Sequence, residues 1–300
     1  MRKVNSWISA FRLRTLPLSL SSILMGSIIA YSQEKFILTI AILAIITTVF
    51  LQVLSNLAND YGDSKKGTDN NNRVGPERAV QSGAISLHEM RNGIIVSSIL
   101  SLLSGTALIY IGLKDYNLTY LVAFFALGIA SIAAAIKYTI GKNPYGYAGL
   151  GDLFVFLFFG ITGVIGTYFL HTHNFELILI LPATSIGLLS ASVLNMNNMR
   201  DIKNDAESHK KTLVVKIGIR KSKTYHTMLI IGAIASFTSF LILKESSYTF
   251  FICLIPLPVF ILNLKKVWSF KDNRELDPEL KNIALSTFLL TLLYGISSIL

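Results

Sequence analysis

The sequence predicts an all-α integral membrane protein, with nine transmembrane helices around a central cavity and a cytoplasmic N-terminus. Three observations carry that reading. Hydrophobic residues make up 52% of the chain and charged residues only 15%, with a mean hydropathy of +0.56. Nine apolar runs approach the roughly 20 residues that a helix needs to cross a hydrocarbon core. The basic residues fall almost wholly on one side of those runs.

The runs lie at about 16–32, 36–56, 93–113, 118–136, 150–170, 175–195, 226–243, 249–267 and 282–300. Gly, Ser, Thr and Ala recur within most of them, which lets neighbouring helix backbones approach closely. The first run lacks a small-residue processing site and reads as a retained span. Cys253 stands alone, so no intrachain disulfide forms. With the N-terminus inside, the tail and the loops after spans 2, 4, 6 and 8 carry 24 of the 27 Lys and Arg. Lys35, Lys114 and Lys244 remain for the other side. Membrane topology thus accounts for the net charge of +10, and nucleic acid drops out as a partner.

No soluble domain or low-complexity segment interrupts residues 1–300, which read as one transmembrane domain. Two inside loops, 56–91 and 197–223, are long and chemically rich. A third, KYTIGKNPYGYAG, is shorter, and SFKDNRELDPEL reads as a solvated turn with a proline stop. The long loops open alike, NLANDYGD and NMNNMRDIKND, a faint internal repeat that presents two acidic faces to one cavity.

If span 2 continues as a helix, Asn56, Asn59, Asp60 and Asp63 form one stripe at i, i+3, i+4 and i+7. Asn197, Asp201 and Asp205 form another. Stacked carboxylates repel, more so near a membrane, and a divalent cation removes the penalty. Carboxylate and amide oxygens suit Mg²⁺, and no Cys or paired His stands nearby to favour zinc. Because Mg²⁺ takes few carboxylates per ion and shares phosphate oxygens, two acidic pairs suggest two ions clamping a phosphate-bearing ligand. The plainer alternative is helix-end Asp and Asn facing water. Its weakness is that the same chemistry recurs at two matching helix ends.

Arg73, Arg78, Lys137, Lys142, Lys210 and Lys211 surround the acids. Singly each reads as a topology residue; beside metal-binding acids they describe a diphosphate site. Tyr138 reads equally as a phosphate donor or as part of an interfacial aromatic belt. A cation channel or transporter is the rival class, but its acids belong near mid-span and not beside bases that repel a cation. His171 and His173 read as solvated on an outside loop, and His88 and His226 as helix-end polar residues.

These residues resemble a family. NDYGD with KKGTD, and NNMRDIKND with ESHKKTLVVKIG, look like the paired aspartate motifs of the UbiA superfamily of intramembrane prenyltransferases. FRLRTLPLSLSSILMG, RAVQSGAIS and KYTIGKNPYGYAGLGDLFVFLFFG extend the likeness along most of the chain. RTLP at 14–17, the form of the first motif and YGYAGLGDLFVFLFFG resemble the branch acting on 1,4-dihydroxy-2-naphthoate.

The resemblance implies a nine-helix, UbiA-like fold in the cytoplasmic membrane with its active site toward the cytoplasm. It implies two Mg²⁺ ions on Asp60, Asp63, Asp201 and Asp205, gripping a polyprenyl diphosphate. Asn56, Asn59 and Asn197 then complete or orient that site, and Arg73, Lys137, Tyr138 and Lys142 add donors. Prenyl transfer to the naphthoate with loss of CO₂ gives demethylmenaquinone; 4-hydroxybenzoate is an alternative acceptor. Asp69, Arg78, Arg14 and Lys210 are further candidates, with Arg12, Arg14 or Lys210 meeting an acceptor carboxylate. The chain departs from the family where Gly67 replaces a third aspartate, with Asp69 two residues on, and at His209 and Asp152.

Overall fold

The computed structural model describes residues 2–70, 73–244 and 248–300. Twelve α-helices are assigned there: α1 Arg2–Phe11, α2 Leu16–Tyr31, α3 Leu38–Lys65, α4 Leu87–Leu113, α5 Leu118–Lys137, α6 Gly151–Val155, α7 Thr167–Thr172, α8 Ile180–Arg200, α9 Ile202–Glu207, α10 Leu213–Leu243, α11 Leu257–Ser269 and α12 Asp277–Ser297. A wide π-type stretch, Phe156–Gly166, joins α6 to α7 as one span. Among the described residues, nine helical segments are long and apolar enough to cross a bilayer, matching the expected nine. Residues 245–247, which follow Lys244 on the side expected to lie outside, are not among those described.

Local signals set the helix starts. Pro17 occupies the first turn of α2, where no amide partner is lost. Ser86 and Glu89 form a reciprocal capping box on α4. Asn117 and Thr212 cap α5 and α10 through Thr119 and Val215. Gly218, at φ 75°, kinks α10 where it leaves the loop for the bundle.

The main core joins α2, the α6–α7 span, α8, α10, α11 and α12 through Met25, Tyr168, Ile186, Phe237, Phe260 and Tyr294. A second cluster, Leu54, Leu57, Met90 and Ile94, binds α3 to α4, with Trp7 of α1 against it. Leu103, Val122, Ile231 and Leu262 instead project outward, as expected of surfaces that meet lipid. Hydrogen bonds draw the loops after α3, α5, α8 and α11 to one end of the bundle: Asn204 Nδ2 donates to Thr68 O, Tyr147 Oη to Asp63, and Asn273 Nδ2 to Arg200 O.

His88 is exposed at the start of α4 as expected, but two other histidines differ from expectation. His171 is buried, with Nδ1 accepting from the Ile37 amide and Nε2 bonded to Ser27 Oγ at 3.1 Å. His226 is also buried, at 2.9 Å from Asn263 Oδ1. Each sits where neighbouring helices supply a polar partner, information that local sequence does not contain.

Candidate active site

Helix α3 runs unbroken to Lys65, so its acidic stripe is helical as expected. The second motif differs: α8 ends at Arg200, Asp201 sits in the break, and α9 carries Asp205 onward. The chain still spirals, since the Asp205 amide donates to Asp201 O at 2.9 Å. Both motifs reach one cavity of ≈460 Å³, lined by Asn56, Asn59, Asp63, Arg73, Arg78, Tyr138, Asn197, Asp201, Asp205 and Lys210. Leu108, Phe124, Leu127, Phe154, Phe158 and Phe159 line its other part, between the helices. One space thus has a polar mouth and a greasy body.

Two cations bridge the motifs across the mouth. Lys210 Nζ stands 3.2 Å from Asp63 Oδ2 and 3.9 Å from Asp205 Oδ1. Arg73 Nε lies 3.2 Å from Asp69 and Nη2 lies 3.9 Å from Asp201. The Tyr147 hydroxyl donates to Asp63 at 2.7 Å and is itself bonded to Thr68 at 2.6 Å. Asp201 is gripped through both oxygens by Arg200, at 3.0 and 2.6 Å, and Arg200 reaches Asp277 at 2.5 Å and Asn197 at 2.8 Å.

Burial and charge divide these carboxyls. Burial raises Asp205 to about 7 against the opposing pull of Lys210. Burial, with the nearby Asp63 charge, raises Asp69 to about 6. Burial also works against ionised Asp201, but the bonds and charge of Arg200 outweigh it and hold Asp201 below the usual carboxylate range. Burial works against the Lys210 cation too, and is outweighed by Asp63 and Asp205.

Several sequence-derived assignments move. Lys137 and Lys142 are exposed and do not line the cavity. The reason is packing. A Cβ on Gly62 would lie 2.5 Å from Thr139 Oγ1, so α3 presses the loop close and turns Tyr138 inward while both lysines face out. Asn56 lines the cavity, but its amide is spent on Phe11 O at 2.9 Å and Thr15 Oγ1 at 3.3 Å. Asp60 lies apart from the other three acids: it ion-pairs with Arg12, stands 3.6 Å from Arg78, and lines a second pocket. Arg14, half exposed, lies 4.0 Å from Asp277.

Sequence reasoning missed Arg200, Tyr147 and Asp277. Arg200 was counted as a topology residue, although an arginine abutting the motif's first aspartate was the available signal. Asp277, in the supposed ordinary turn, lines the cavity together with Lys281.

The donor set suits a hard divalent cation. It is all oxygen; the buried Asn59 Oδ1 accepts no hydrogen bond, and the buried Asp69 carboxylate is met by the Arg73 ion pair without a hydrogen bond. Among the described residues no three carboxylates, histidines or cysteines converge on one point. A cation here therefore draws its remaining ligands from water and phosphate oxygens, the habit of Mg²⁺.

The sequence profile of the UbiA prenyltransferase family matches residues 19–292. The chain belongs to the UbiA prenyltransferase family. It is 42% identical over 296 residues to a 1,4-dihydroxy-2-naphthoate octaprenyltransferase of Haemophilus influenzae, covering 98% of this chain and 96% of that one. It is 40% identical to the Escherichia coli protein of the same description, over 97% and 94% of the two chains. The fold is similar to that of a UbiA homologue from Archaeoglobus fulgidus bound to DMAPP and Mg²⁺, with a TM-score of 0.64, 15% identity, and coverage of 96% and 98%. As a UbiA-family member whose described residues include nine helical segments long and apolar enough to cross a bilayer, the protein is an integral membrane prenyltransferase.

Proposed function

We propose that the protein transfers a polyprenyl chain from polyprenyl diphosphate to 1,4-dihydroxy-2-naphthoate, with loss of CO₂ and diphosphate, giving the prenylated naphthohydroquinone, the reduced form of demethylmenaquinone. The observation that supports this best is the single cavity with a carboxylate- and cation-lined mouth and an apolar body. Such a space suits a diphosphate joined to an insoluble tail. The names of the relatives supply the acceptor. Residues 1–300 act as one domain in the cytoplasmic membrane, and the mouth opens to the cytoplasm, in line with the placement of 24 of 27 basic residues.

Asp63 and Asp69 with Asn59 on one side, and Asp201 and Asp205 on the other, are the residues that would hold two Mg²⁺ ions. Bound there, Mg²⁺ supplies Lewis-acid charge to the departing diphosphate. Lys210 and Arg73, already bridging the motifs, turn their charge to the phosphate oxygens as the allylic C–O bond breaks. The bond's electron pair leaves with the diphosphate. The apolar wall holds the tail and excludes water, so that the electron-rich ring carbon captures the allylic carbon. Ring hydroxyls activate the acceptor, and its carboxylate departs as CO₂, so the protein needs no covalent nucleophile.

Membranes containing the protein, given Mg²⁺, radiolabelled polyprenyl diphosphate and a panel of aromatic acceptors, test the reading. Label should enter the dihydroxynaphthoate product and stop entering when EDTA is added. Label in 4-hydroxybenzoate alone overturns the acceptor, and transfer that survives metal stripping overturns the Mg²⁺ assignment.

A further inference from the structure

Glycine in a helix interior is less stable than alanine, so each one inside a span calls for a reason. For Gly26, Gly160 and Gly187 the reason is close packing. An added Cβ would meet Val164 O at 2.4 Å, Ala183 O at 2.6 Å and Phe156 Cδ2 at 2.7 Å. Gly105 on α4, Gly128 on α5 and Gly166 at the head of α7 have no such constraint. There the nearest atoms to an added Cβ are Thr47 Cγ2 at 3.6 Å, Ile109 Cδ1 at 3.6 Å and Phe124 Cε1 at 3.9 Å, ordinary van der Waals contacts. None of the three has a positive φ. What they share is the main cavity, which all three line.

These glycines lie away from the charged mouth. Thr47, opposite Gly105, is about 24 Å from Asp63 along α3, at about 1.5 Å per residue. Gly166 faces Phe124, whose ring stacks on Phe169 with centroids 5.4 Å apart, and Phe169 stacks in turn on Tyr120 at 5.1 Å. Phe124 lines the cavity and the other two rings stand behind it, so the wall there is braced. A second, independent observation concerns hydroxyls. On α2, Ser19 and Ser21 donate back to Leu16 O and Pro17 O at 3.0 and 2.7 Å. Ser22, only 2% exposed, lines the cavity, and its Oγ has no partner. Thr47 Oγ1, in the cavity wall opposite Gly105, has none either. Buried donors are ordinarily spent, and a hydroxyl left open on a greasy wall donates weakly to a π bond.

We propose that Gly105, Gly128 and Gly166 keep the inner cavity open for the distal isoprene units of the donor's tail, and so determine which chain lengths the protein takes. Ser22 and Thr47 read the double bonds of those units. A side chain at any of the three glycines fills that space without pressing the helices apart, so the glycines serve the ligand and not the bundle. An isoprene chain carries a double bond in every unit, whereas a saturated lipid acyl chain carries none, which separates the donor from the surrounding membrane. The inference rests on the polyprenyl donor proposed above.

The test is the ratio of kcat/KM for octaprenyl over geranyl diphosphate, measured on the full-length protein in lipid nanodiscs with Mg²⁺ and dihydroxynaphthoate. Gly105→Leu and Gly128→Leu should lower that ratio by about 10- to 200-fold, the scale on which an apolar pocket discriminates a methylene, chiefly through the octaprenyl KM. A thermal melt supplies a readout that a packing role would move the other way. Gly105→Ala and Gly128→Ala should melt no lower than wild type, because alanine favours the helix and meets no clash, whereas Gly187→Ala should melt lower. For the hydroxyls, octaprenyl diphosphate should compete better than its fully saturated analogue, and Ser22→Ala and Thr47→Val should each narrow that preference by about 2- to 5-fold. An equal loss with both donors, or an unchanged ratio in the leucine variants, overturns the proposal, as does a lowered melt in the alanine variants. Equal competition by the saturated chain in wild type overturns it in favour of a groove for any lipid acyl chain. If the leucine variants do not accumulate, the alanine variants carry the same ratio. Failure of wild type to transfer either chain is the separate result that sinks the donor assignment itself.

Discussion

The two ends of the helix bundle handle buried polarity in opposite ways. At the end opposite the cavity mouth, Tyr168 Oη bonds Gln33 Oε1 at 2.6 Å and Glu176 Oε1 at 2.7 Å, and Gln33 donates to Glu176 at 2.9 Å. Lys244 donates to Ser32 Oγ at 2.7 Å and Tyr294 Oη at 3.2 Å, and His171 has partners at both ring nitrogens. At the mouth, Asn59 Oδ1, both Asp69 oxygens and two arginine Nε atoms lack hydrogen-bond partners. Buried polar groups that are paired among themselves rigidify a structure, whereas those left open are paid for by a ligand. The first end acts as a seal and the second as a site.

The largest effect that sharpens this contrast is at the mouth. Asp63→Ala or Asp201→Ala should lower prenyl transfer by at least about 100- to 1,000-fold, the loss seen on removing one transition-state charge stabiliser. Assay in membranes with matched protein amounts checks it. Normal turnover in either variant breaks the division.

Gly62→Ala tests how the mouth is assembled. The added Cβ meets Thr139 Oγ1 at 2.5 Å and its backbone carbon at 2.9 Å, so α3 and the 138–150 loop must separate. Overpacking of this kind costs about 1–3 kcal/mol. Activity should fall with stability, because Tyr138 and Tyr147 are carried on the displaced loop. A thermal melt in detergent, paired with the transfer assay, reads both.

At the sealed end, Tyr168→Phe removes a hydroxyl but leaves the Gln33–Glu176 bond in place. Stability should drop by about 1 kcal/mol, a typical net hydrogen-bond contribution, with turnover unchanged. A loss of turnover there would contradict the assignment of that end as a seal.

The smallest expected effect concerns pH. Asp205 at about 7 and Asp69 at about 6 bind protons in the folded, metal-free protein that the unfolded chain, with ordinary carboxyls near 3.8, does not. The folded state therefore holds more protons between these limits, and its stability falls as pH rises through about 7. Metal-free protein should melt slightly higher at pH 6.5 than at pH 8, and Mg²⁺ with diphosphate should erase the difference.

Much of the site was legible along the chain because its groups are local. Helical spacing alone aligns Asn59 with Asp63, and the repeat of acids after spans 2 and 6 identified both walls of one cavity. Asp60 shows the limit. Its place on the stripe made it equivalent to Asp63, yet Arg12, 48 residues away, draws it into another pocket. Lys137 and Lys142 failed for a related reason, since loop composition does not tell which side chains a tight helix contact turns outward.

The sequence by itself determined the membrane class, the number of spans and which acids and amides share one helical stripe. Each follows from composition, from helix-length apolar runs or from spacing along one helix, all properties of neighbouring residues. Only the tertiary structure decided how the charges pair: Lys210 with Asp63, Arg73 with Asp201, Arg200 with Asp277, and Asp60 with Arg12 and Arg78. Those partners come from separate helices and loops, and in a low-dielectric mouth ångström-scale distances across that gap set which charge each one neutralises.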